Sequence, residues 1–470
     1  HDIDLGLVEG LSHQSSLRYT PWLQDELVAV VRADSRYAAT ESLTVDDLTH
    51  IPLVLREPGS GTLAIWQSAL AQHRLSPGSL QVIAQLGSSE AIKQFIDFNT
   101  IGLLCGMMIL IAVVKKSGFF RLLALWAMKM SKGSPRELLV LLSLVTAVGA
   151  AMIDSVTAAL LIAPMTISLC RMLHIIPVPI LVSEILMCNI GGTALMIGNP
   201  PNVMIGSATH LDFNDFLINL APVVLIVIAA TLVCILFMFR KELPSKHMSQ
   251  EEVDAIDISS AIEDRKIFNR SLTVLALTIA GFVVHGYFGL QSATVALTGG
   301  FVALFVCGLN PDEIMKEVDL DTLMFFMGLF VLVGGMENAG VITAIAQWGI
   351  ELVNGNYHLI TYLILFLSGI ASAFIDNIPF TATMIPLIKD MQSLMGISHA
   401  DYMWWALATG ACFGGNGTMI GASPNVIMVA IAAKEGHNIS FGTFMKWCFP
   451  LMLLSLFIAA AYIEVRYFIL

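Results

Sequence analysis

Two aspartates stand alone in long stretches of sequence that otherwise carry no charge. Asp154 and Asp376 each follow an isoleucine in an apolar run and precede hydroxyl or amide side chains. A carboxylate inside a bilayer costs about 2.5–3.5 kcal/mol or more, so it usually faces a cavity and has a function. Oxygen ligands suit a hard cation such as Na⁺, and a carboxyl group can also carry a proton. The simpler alternative to a function in ion binding is a structural hydrogen bond. The predicted ion-binding residues here are Asp154, Ser155, Thr157, Asp376, Asn377, Thr381 and Thr383.

Two further blocks place glycine and proline in the middle of apolar sequence, GGTALMIGNPPNVMI at 191–205 and GGNGTMIGASPNVIM at 414–428. These residues break helices, and unwound backbone is tolerated at membrane depth only where it is buried in protein or lines a cavity. Freed amides can hold an anion and freed carbonyls a cation, whereas a packing kink is the alternative. The predicted binding residues here are Gly191, Gly192, Thr193, Asn199, Pro201, Asn202, Gly414, Gly415, Asn416, Thr418, Pro424 and Asn425.

The four blocks form an internal repeat. IDSVTAALLIAP at 153–164 pairs with IDNIPFTATMIP at 375–386, and the two glycine and proline blocks follow them in the same order at almost the same spacing. The loop 115–136 carries six Lys or Arg residues, whereas its counterpart 337–358 carries none. Because short basic loops stay in the cytoplasm, we expect the two halves to have opposite orientations. Interrupted segments at matching places in such halves point to a transport site.

The composition favours a membrane protein. Apolar residues make up 56% of the chain and charged residues 13%, against about 25% charged in ordinary soluble domains. Runs such as 217–239 are long enough to cross about 30 Å of hydrocarbon. We therefore expect a multi-pass protein of a bacterial inner membrane, with the lipid bilayer as a partner. The net charge of −12 argues against nucleic acid. No nucleophile–base pair or metal-ligand spacing indicates an enzyme, and no cofactor is expected.

Residues 1–97 differ in character, since strand and helix patterns alternate there. The motifs DLGLVEG, LVLREPGSGT and LGSSEAIKQ resemble the effector-binding domain of LysR-type transcriptional regulators. That resemblance implies a partial α/β lobe like those of periplasmic binding proteins. It also implies an anion-binding effector loop at a helix N-terminus, with residues Gly59, Ser60, Gly61 and Thr62. We expect little binding here, because an effector cleft needs two lobes.

From about residue 97 onward the chain resembles the ion transporter superfamily of arsenite permeases, NhaD-type Na⁺/H⁺ antiporters and dicarboxylate:sodium symporters. It is most similar to the branch that contains the melanosomal P protein. The blocks LLCGMMILIAVVKKSGFF, IDSVTAALLIAP, NIGGTALMIGNPPNV, FIDNIPFTATMIP and GACFGGNGTMIGASPNV carry this resemblance. It implies two re-entrant hairpins with Asp154 and Asp376 at their tips, broken helices at 189–204 and 412–427, an elevator-like mechanism and a homodimer.

The sequence departs from that superfamily at two places. Asp154 and Ser155 fall where the symporters keep a Ser-Asn pair for Na⁺, and Asn199 falls where relatives of the P protein often have aspartate. Both departures leave Na⁺ and H⁺ open as the coupling ion, and a Na⁺ site near Asp154 and Asp376 is one expectation.

We predict an all-α polytopic membrane protein with inverted repeats, two re-entrant hairpins and two broken helices, preceded by a partial α/β lobe. The predicted segments are 1–97 for the lobe, 98–240 for a first repeat that lacks its N-terminal scaffold helices, 241–270 for a cytoplasmic linker and 271–470 for a second repeat with both scaffold helices. Because 49–86 is too polar to span, we expect a truncation and fusion near residues 95–97.

The predicted function is secondary active transport of a cation or small anion, coupled to Na⁺ or H⁺. Two other functions stay open at this point. One is a membrane-tethered small-molecule sensor, in which the helices anchor the lobe, and the other is a transport-inactive chimeric remnant. The absence of Arg and Lys from the binding blocks favours a cation or proton over an organic dianion.

Overall fold

The fold is that of a computed structural model, which describes residues 53–56, 61–72, 82–86, 95–243, 253, 257–262, 264–397 and 400–469. The chain divides between Ile96 and Asp97 into two compact units. In the N-terminal unit, strands β1 (Leu53–Arg56) and β2 (Val82–Leu86) pair in parallel, and helix α1 (Gly61–Gln72) connects them. Parallel neighbours require such a crossover. Of the predicted effector loop, Gly61 and Thr62 begin α1, whereas Gly59 and Ser60 lie outside the described residues.

The second unit is helical and contains two similar series of helices. The first series is α2 (Phe98–Lys116), α3 (Phe119–Met130), α4 (Pro135–Met152), α5 (Ser155–Met172), α6 (Val178–Gly192), α7 (Pro200–Ala208) and α8 (Phe213–Met238). The second is α12 (Leu320–Asn338), α13 (Val341–Leu352), α14 (Tyr357–Phe374), α15 (Asn377–Leu394), α16 (Asp401–Gly414), α17 (Ser423–Lys434) and α18 (Phe441–Ile463), after which Glu464–Ile469 is π-helical. Each of the first six helices in one series therefore has a counterpart at a nearly constant spacing in the other.

Between the two series lie α9 (Arg265–Val284), α10 (Ser292–Cys307) and the short α11 (Pro311–Met315), with 3₁₀ turns at Ile258–Ala261 and His285–Phe288. Helix α9 begins at Arg265, so the last six residues of the predicted linker 241–270 are helical. Asp264 accepts hydrogen bonds from the backbone N–H groups of Lys266 and Ile267 and so caps α9. The first-turn amides of a helix lack partners within the helix, and Asp264 supplies one. The helix can therefore begin in a charged stretch.

Local sequence explains why helices begin at matched places in the two series. Asp97 and Asp319 cap α2 and α12 through their carboxylates, as N-terminal aspartates commonly do. Gly118 and Gly340 precede α3 and α13 with φ of 81° and 74°. Glycine adopts this left-handed conformation without the steric penalty of a Cβ atom.

In the part of the chain that the structure describes, eight helices are long and apolar enough to cross a membrane. They are α2, α4, α5, α8, α9 with its 3₁₀ turn, α12, α14 and α18 with its π-helical extension. Large apolar side chains such as Phe237, Phe305 and Leu332 lie at the surface of the unit. An apolar surface of this extent fits contact with lipid rather than water. The prediction of a multi-pass membrane protein is confirmed.

Helix α2 lies inside the unit and packs closely against α10. A Cβ atom on Gly106 would lie 2.4 Å from the backbone of Ala296, so only glycine permits this approach. At its C-terminal end, Lys116 donates to the Glu313 carboxylate of α11 over 2.6 Å. This contact holds the pKa of Glu313, which lies outside the membrane-spanning helices, below its ordinary value. The exposed pair contributes little to stability.

Candidate functional site

Asp154 lies at the junction between α4 and α5, where the chain reverses. Its Oδ2 accepts hydrogen bonds from the backbone N–H of Thr157 at 3.0 Å and from the hydroxyl of the same residue at 3.1 Å. The half-buried carboxylate therefore caps α5. Capping satisfies amides at the helix start, and it also holds a negative charge at the positive end of the helix dipole.

Asp376 lies at the equivalent junction between α14 and α15 but makes a different contact. Its Oδ1 accepts from the backbone N–H of Ile378 at 2.9 Å, and its Oδ2 accepts from the hydroxyl of Ser423 at 3.2 Å. Ser423 is the first residue of α17. The carboxylate thus joins the N-termini of two helices, α15 and α17.

The first half joins the same two helix N-termini with another pair of side chains. The hydroxyl of Ser155, the first residue of α5, donates to Oδ1 of Asn199 at 3.2 Å. Asn199 precedes α7 as its N-cap, and its buried Nδ2 has no hydrogen-bond partner among the residues that the structure describes. In both halves, therefore, a helix that starts at an aspartate meets the helix that starts after the glycine and proline break.

The asparagines of the Pro-Asn motifs hold the broken segments in shape. Nδ2 of Asn202 donates to the carbonyls of Thr193 and Leu195 at 2.9 and 3.0 Å. Nδ2 of Asn425 donates to the carbonyls of Gly415 and Thr418 at 2.7 and 2.8 Å. These four carbonyls, freed by the helix breaks, are therefore already hydrogen-bonded. This finding weakens the expectation that freed carbonyls bind a cation.

A buried hydrogen-bond network joins the two broken helices across the halves. Nδ2 of Asn189 donates to Oδ1 of Asn416 at 2.8 Å and to Oδ1 of Asn425 at 2.9 Å. The thiol of Cys412 lies 3.8 Å from Oδ1 of Asn202. All of these asparagines are fully buried. The network brings together the predicted residues Asn202, Asn416 and Asn425.

Several predicted hydroxyl ligands donate to backbone carbonyls instead. Thr381 donates to the carbonyl of Asn377 at 2.7 Å, and Thr383 donates to that of Phe380 at 2.8 Å. Thr193 donates to the carbonyl of Asn189 at 2.7 Å, and Thr418 donates to that of Ala373. Pro201 and Pro424 occupy the first turns of α7 and α17, where proline needs no amide partner.

The paired glycines permit close approach between helices. A Cβ atom on Gly191 would lie 2.2 Å from the carbonyl oxygen of Ala147, and one on Gly414 would lie 2.4 Å from that of Gly369. Gly192 and Gly415 similarly face the carbonyls of Gly198 and Gly421 within their own loops, at 2.6 and 3.2 Å. The glycines therefore serve packing at the site as well as breaking the helices.

We expect the substitution Gly191→Ala to destabilise the protein by about 1–3 kcal/mol, because the added methyl group meets backbone atoms that cannot rotate away. Gly149→Ala is the matched control, since nothing lies within 4 Å of the added atom in α4 and alanine favours helix. Thermal unfolding of the purified protein in detergent measures both. A Gly191→Ala variant as stable as the wild type would contradict the close packing of α4 and α6.

Two functional candidates were missed at the level of sequence. Glu184 is fully buried in α6, and it is the only charged residue between 175 and 209, a signal that should have identified it. Asn189 lies two residues before Gly191, but nothing in its neighbourhood predicts that its partners lie in the other half.

Comparison with known proteins decides the family of this chain. Residues 63–410 match the citrate transporter family, and residues 1–99 match the LysR substrate binding domain. The chain belongs to the citrate transporter family. The two matches overlap at 63–99, and the division of the fold between Ile96 and Asp97 assigns nearly all of that overlap to the first unit.

Relatives of this citrate transporter family member cover most of its length. An uncharacterized transporter of Mycobacterium tuberculosis is 41% identical over 376 residues, which are 80% of this chain and 87% of the relative. The P protein of Mus musculus is 31% identical over 495 residues, which are 89% of this chain and 59% of the P protein. The crystal structure of the YdaH transporter of Alcanivorax borkumensis matches with a TM-score of 0.54 at 16% identity, over 80% of this chain and 89% of that one.

These findings confirm the predicted superfamily and the LysR-like N-terminal region. The protein is a transporter of the citrate transporter family rather than an enzyme, and it is integral to the membrane with several spans. It moves a small substrate across a lipid bilayer. The likeness to YdaH at this identity concerns the fold alone.

Proposed function

We propose that residues 98–470 form a secondary active transporter in which the junctions at Asp154 and Asp376 bind Na⁺ or H⁺ together with a small substrate. One observation carries this proposal. In each half, the start of an aspartate-capped helix is hydrogen-bonded to the start of the helix after the glycine and proline break. Oxygen-rich junctions of this kind, buried between helix ends, suit ion binding in a membrane.

The same bonds support re-entrant hairpins for α4–α5 and α14–α15. The turn at Asp154 contacts Asn199 through Ser155, and Asn199 lies in the middle of the apolar stretch 178–208. A turn that meets the middle of a spanning segment lies at membrane depth, so the two helices that flank it would enter and leave on one side. The bond between Asp376 and Ser423 supports the same arrangement in the second half.

The contacts across the halves support a two-fold relation between them. Asn189 contacts Asn425, and their counterparts Cys412 and Asn202 also contact each other. Reciprocal contacts are the mark of a two-fold axis. Six basic residues in the loop 115–136 and none in 337–358 favour an axis in the membrane plane, and therefore inverted halves. A body that holds both broken helices together is suited to an elevator-like movement.

The charge of the site favours a cation or a proton over a citrate-like anion. Asp154 and Asp376 supply two carboxylates, and the four binding blocks contain no Lys or Arg. Helix N-termini attract an anion. Amides of α5 and α15 already donate to the two aspartates, whereas those of α7 and α17 have no side-chain cap. A small anion is the second candidate, and cotransport with a cation would offset its charge.

Proteoliposomes that contain the full chain and an internal pH-sensitive dye test this proposal. Imposed gradients of Na⁺, Li⁺ or citrate form three arms. We expect at least one gradient to move protons in the wild type, and we expect no such movement when Asp154→Asn and Asp376→Asn are combined, since both ionisable groups are then lost. Coupled flux that survives the double substitution contradicts the assigned roles. No flux in any arm supports a transport-inactive protein.

The homodimer implied by the superfamily resemblance stays part of this proposal. The mass of the detergent-solubilised protein, measured by light scattering with the detergent contribution subtracted, should equal twice that of one chain. A single-chain mass would contradict the dimer without affecting the assignment of Asp154 and Asp376.

A further inference from the structure

We propose that Glu184 is a proton-binding group of the transport cycle and that it exists in the first half only. The inference rests on the proposed ion-coupled function but concerns a residue outside the junctions at Asp154 and Asp376. It makes the two similar halves chemically unequal.

The carboxyl group of Glu184 lies in a buried place with a single hydrogen-bond partner among the described residues. The side chain lies near the middle of α6 and is fully buried. Its Oε1 accepts a hydrogen bond from the hydroxyl of Thr166 in α5 at 2.5 Å. Its Oε2 has no hydrogen-bond partner within the described ranges.

The surroundings of Glu184 provide no positive charge among the residues that the structure describes. The titratable groups that face it are two thiols, Cys170 of α5 and Cys188 of α6. The helices packed against α6 are α4, α5, α8, α16 and α17. Apart from Asp154, their charged residues lie in terminal turns, namely Arg136, Glu137, Arg171, Asp215, Asp401 and Lys434. A buried carboxylate without a counter-charge is strongly unfavourable, so the group is neutral in this conformation.

The second half shows that the fold does not require a carboxyl group at this place. When the block 191–205 is aligned with 414–428, Leu407 occupies the position of Glu184. When 153–164 is aligned with 375–386, Ile388 occupies the position of Thr166. Both Leu407 and Ile388 are fully buried. Apolar side chains therefore fill the equivalent space between α15 and α16. Packing does not require the polar pair Thr166 and Glu184 in the first half, and burying a partly unsatisfied carboxyl group there costs stability.

The position of Glu184 links it to the predicted site. Cys188 lies one turn further along α6 and within electrostatic range of both Glu184 and Asp154. Asn189, the next residue, joins the two broken helices. Because Glu184 is fully enclosed here, its proton can exchange only when α5 and α6 separate from their neighbours in another conformation. Exchange in one conformation and enclosure in the other is what coupling to a proton gradient requires.

The test compares Glu184→Gln with two other variants in the full chain. Glutamine keeps an oxygen for Thr166 but cannot release a proton, and Glu184→Leu copies Leu407. Glu137→Gln, at the exposed start of α4, is the control. The infrared C=O band of protonated carboxylic acid, followed during a pH titration in detergent, reports proton binding independently of transport. The proton movement driven by Na⁺, Li⁺ or citrate in proteoliposomes reports coupling.

We expect a component of the wild-type carboxylic acid band that decreases as the pH rises, is missing from the spectra of both Glu184 variants and persists in Glu137→Gln. Gradient-driven proton movement should fall at least about tenfold in Glu184→Gln, whereas Glu137→Gln should match the wild type. Both Glu184 variants should keep the elution profile of a folded protein.

Three results would overturn the proposal. The first is a wild type without the band, or a band that the Glu184 substitutions leave unchanged. The second is a band that no accessible pH alters. The third is normal proton movement in Glu184→Gln. A wild type that moves no protons under any gradient defeats the proposed function instead, and the band then still decides whether Glu184 exchanges a proton.

Discussion

The substitution Asp376→Asn is expected to reduce ion-driven flux by about 10–100-fold. Asparagine can still accept from the backbone N–H of Ile378 and so keeps the helix cap. It loses the negative charge and the acceptor that Oδ2 offers to Ser423. Hydrogen bonds to charged groups contribute about 1.5–3 kcal/mol, and about 1.4 kcal/mol corresponds to a factor of ten in rate. The measurement is the initial rate of proton movement in proteoliposomes.

Asp319→Asn separates the loss of charge from the loss of a cap. Asp319 caps α12 through Thr322, accepting from its backbone N–H at 3.0 Å and from its hydroxyl at 2.6 Å. This closely matches the way Asp154 caps α5 through Thr157, but Asp319 contacts neither broken helix. We expect the Asp319→Asn variant to transport like the wild type. If both variants lose flux equally, the effect is structural and the role of Asp376 as an ion-binding group is refuted.

The substitution Asn425→Leu is expected to have the largest effect on folding. It removes the donor to the carbonyls of Gly415 and Thr418 and the acceptor for Nδ2 of Asn189, all in a fully buried place. Each buried polar group left without a partner costs about 1–3 kcal/mol. Among the described residues the Gly415 carbonyl then has no partner, whereas the Thr418 carbonyl keeps the amide of Gly421 and Nδ2 of Asn189 keeps Asn416. One lost partner and two lost hydrogen bonds are together a substantial part of the about 5–15 kcal/mol that stabilises a typical protein. We expect the variant to aggregate when it is extracted in detergent.

Two other variants make this result interpretable. Asn269→Leu alters an exposed asparagine of α9 and should leave extraction unchanged, so it controls for the change of residue type. Asn425→Asp keeps the side-chain shape and an acceptor for Asn189 but buries a carboxylate against two carbonyl oxygens, so we expect it to fail as well. A folded, monodisperse Asn425→Leu variant would show that the two broken helices are held together by other contacts.

Features that depend on neighbouring residues could be predicted from the sequence. Apolar runs such as 217–239 predict spanning helices, because the hydrocarbon of a bilayer selects for length and composition. Helices α6 and α16 end at Gly192 and Gly414, within the glycine and proline blocks, since these residues lower helix stability wherever they occur. The start of α9 at Arg265 was missed, because a charged first turn reads as loop unless its cap is recognised.

Partners distant in the chain could not be predicted. Ser155 and Asn199 are 44 residues apart, and Asn189 and Asn425 are 236 apart. A polar side chain in an apolar stretch must find a partner, but sequence does not say which one. Thr381 and Thr383 were expected near the ion, yet each bonds to its own helix, as threonine often does. The inverted orientation of the halves and the depth of the hairpins stay predictions.

The sequence by itself determined that this protein crosses the membrane several times, belongs to a transporter superfamily and carries a LysR-like region before its helices. Hydropathy and motif spacing are local properties of the chain, so they can be determined from the sequence alone. Only the tertiary structure decided what the polar groups do. It assigns Asn202 and Asn425 to holding the broken helices, joins the halves through Asn189 and leaves Glu184 buried beside one hydroxyl. Those roles depend on which atoms lie within about 3 Å of one another. The folded structure determines these distances, because the partners are far apart in the sequence.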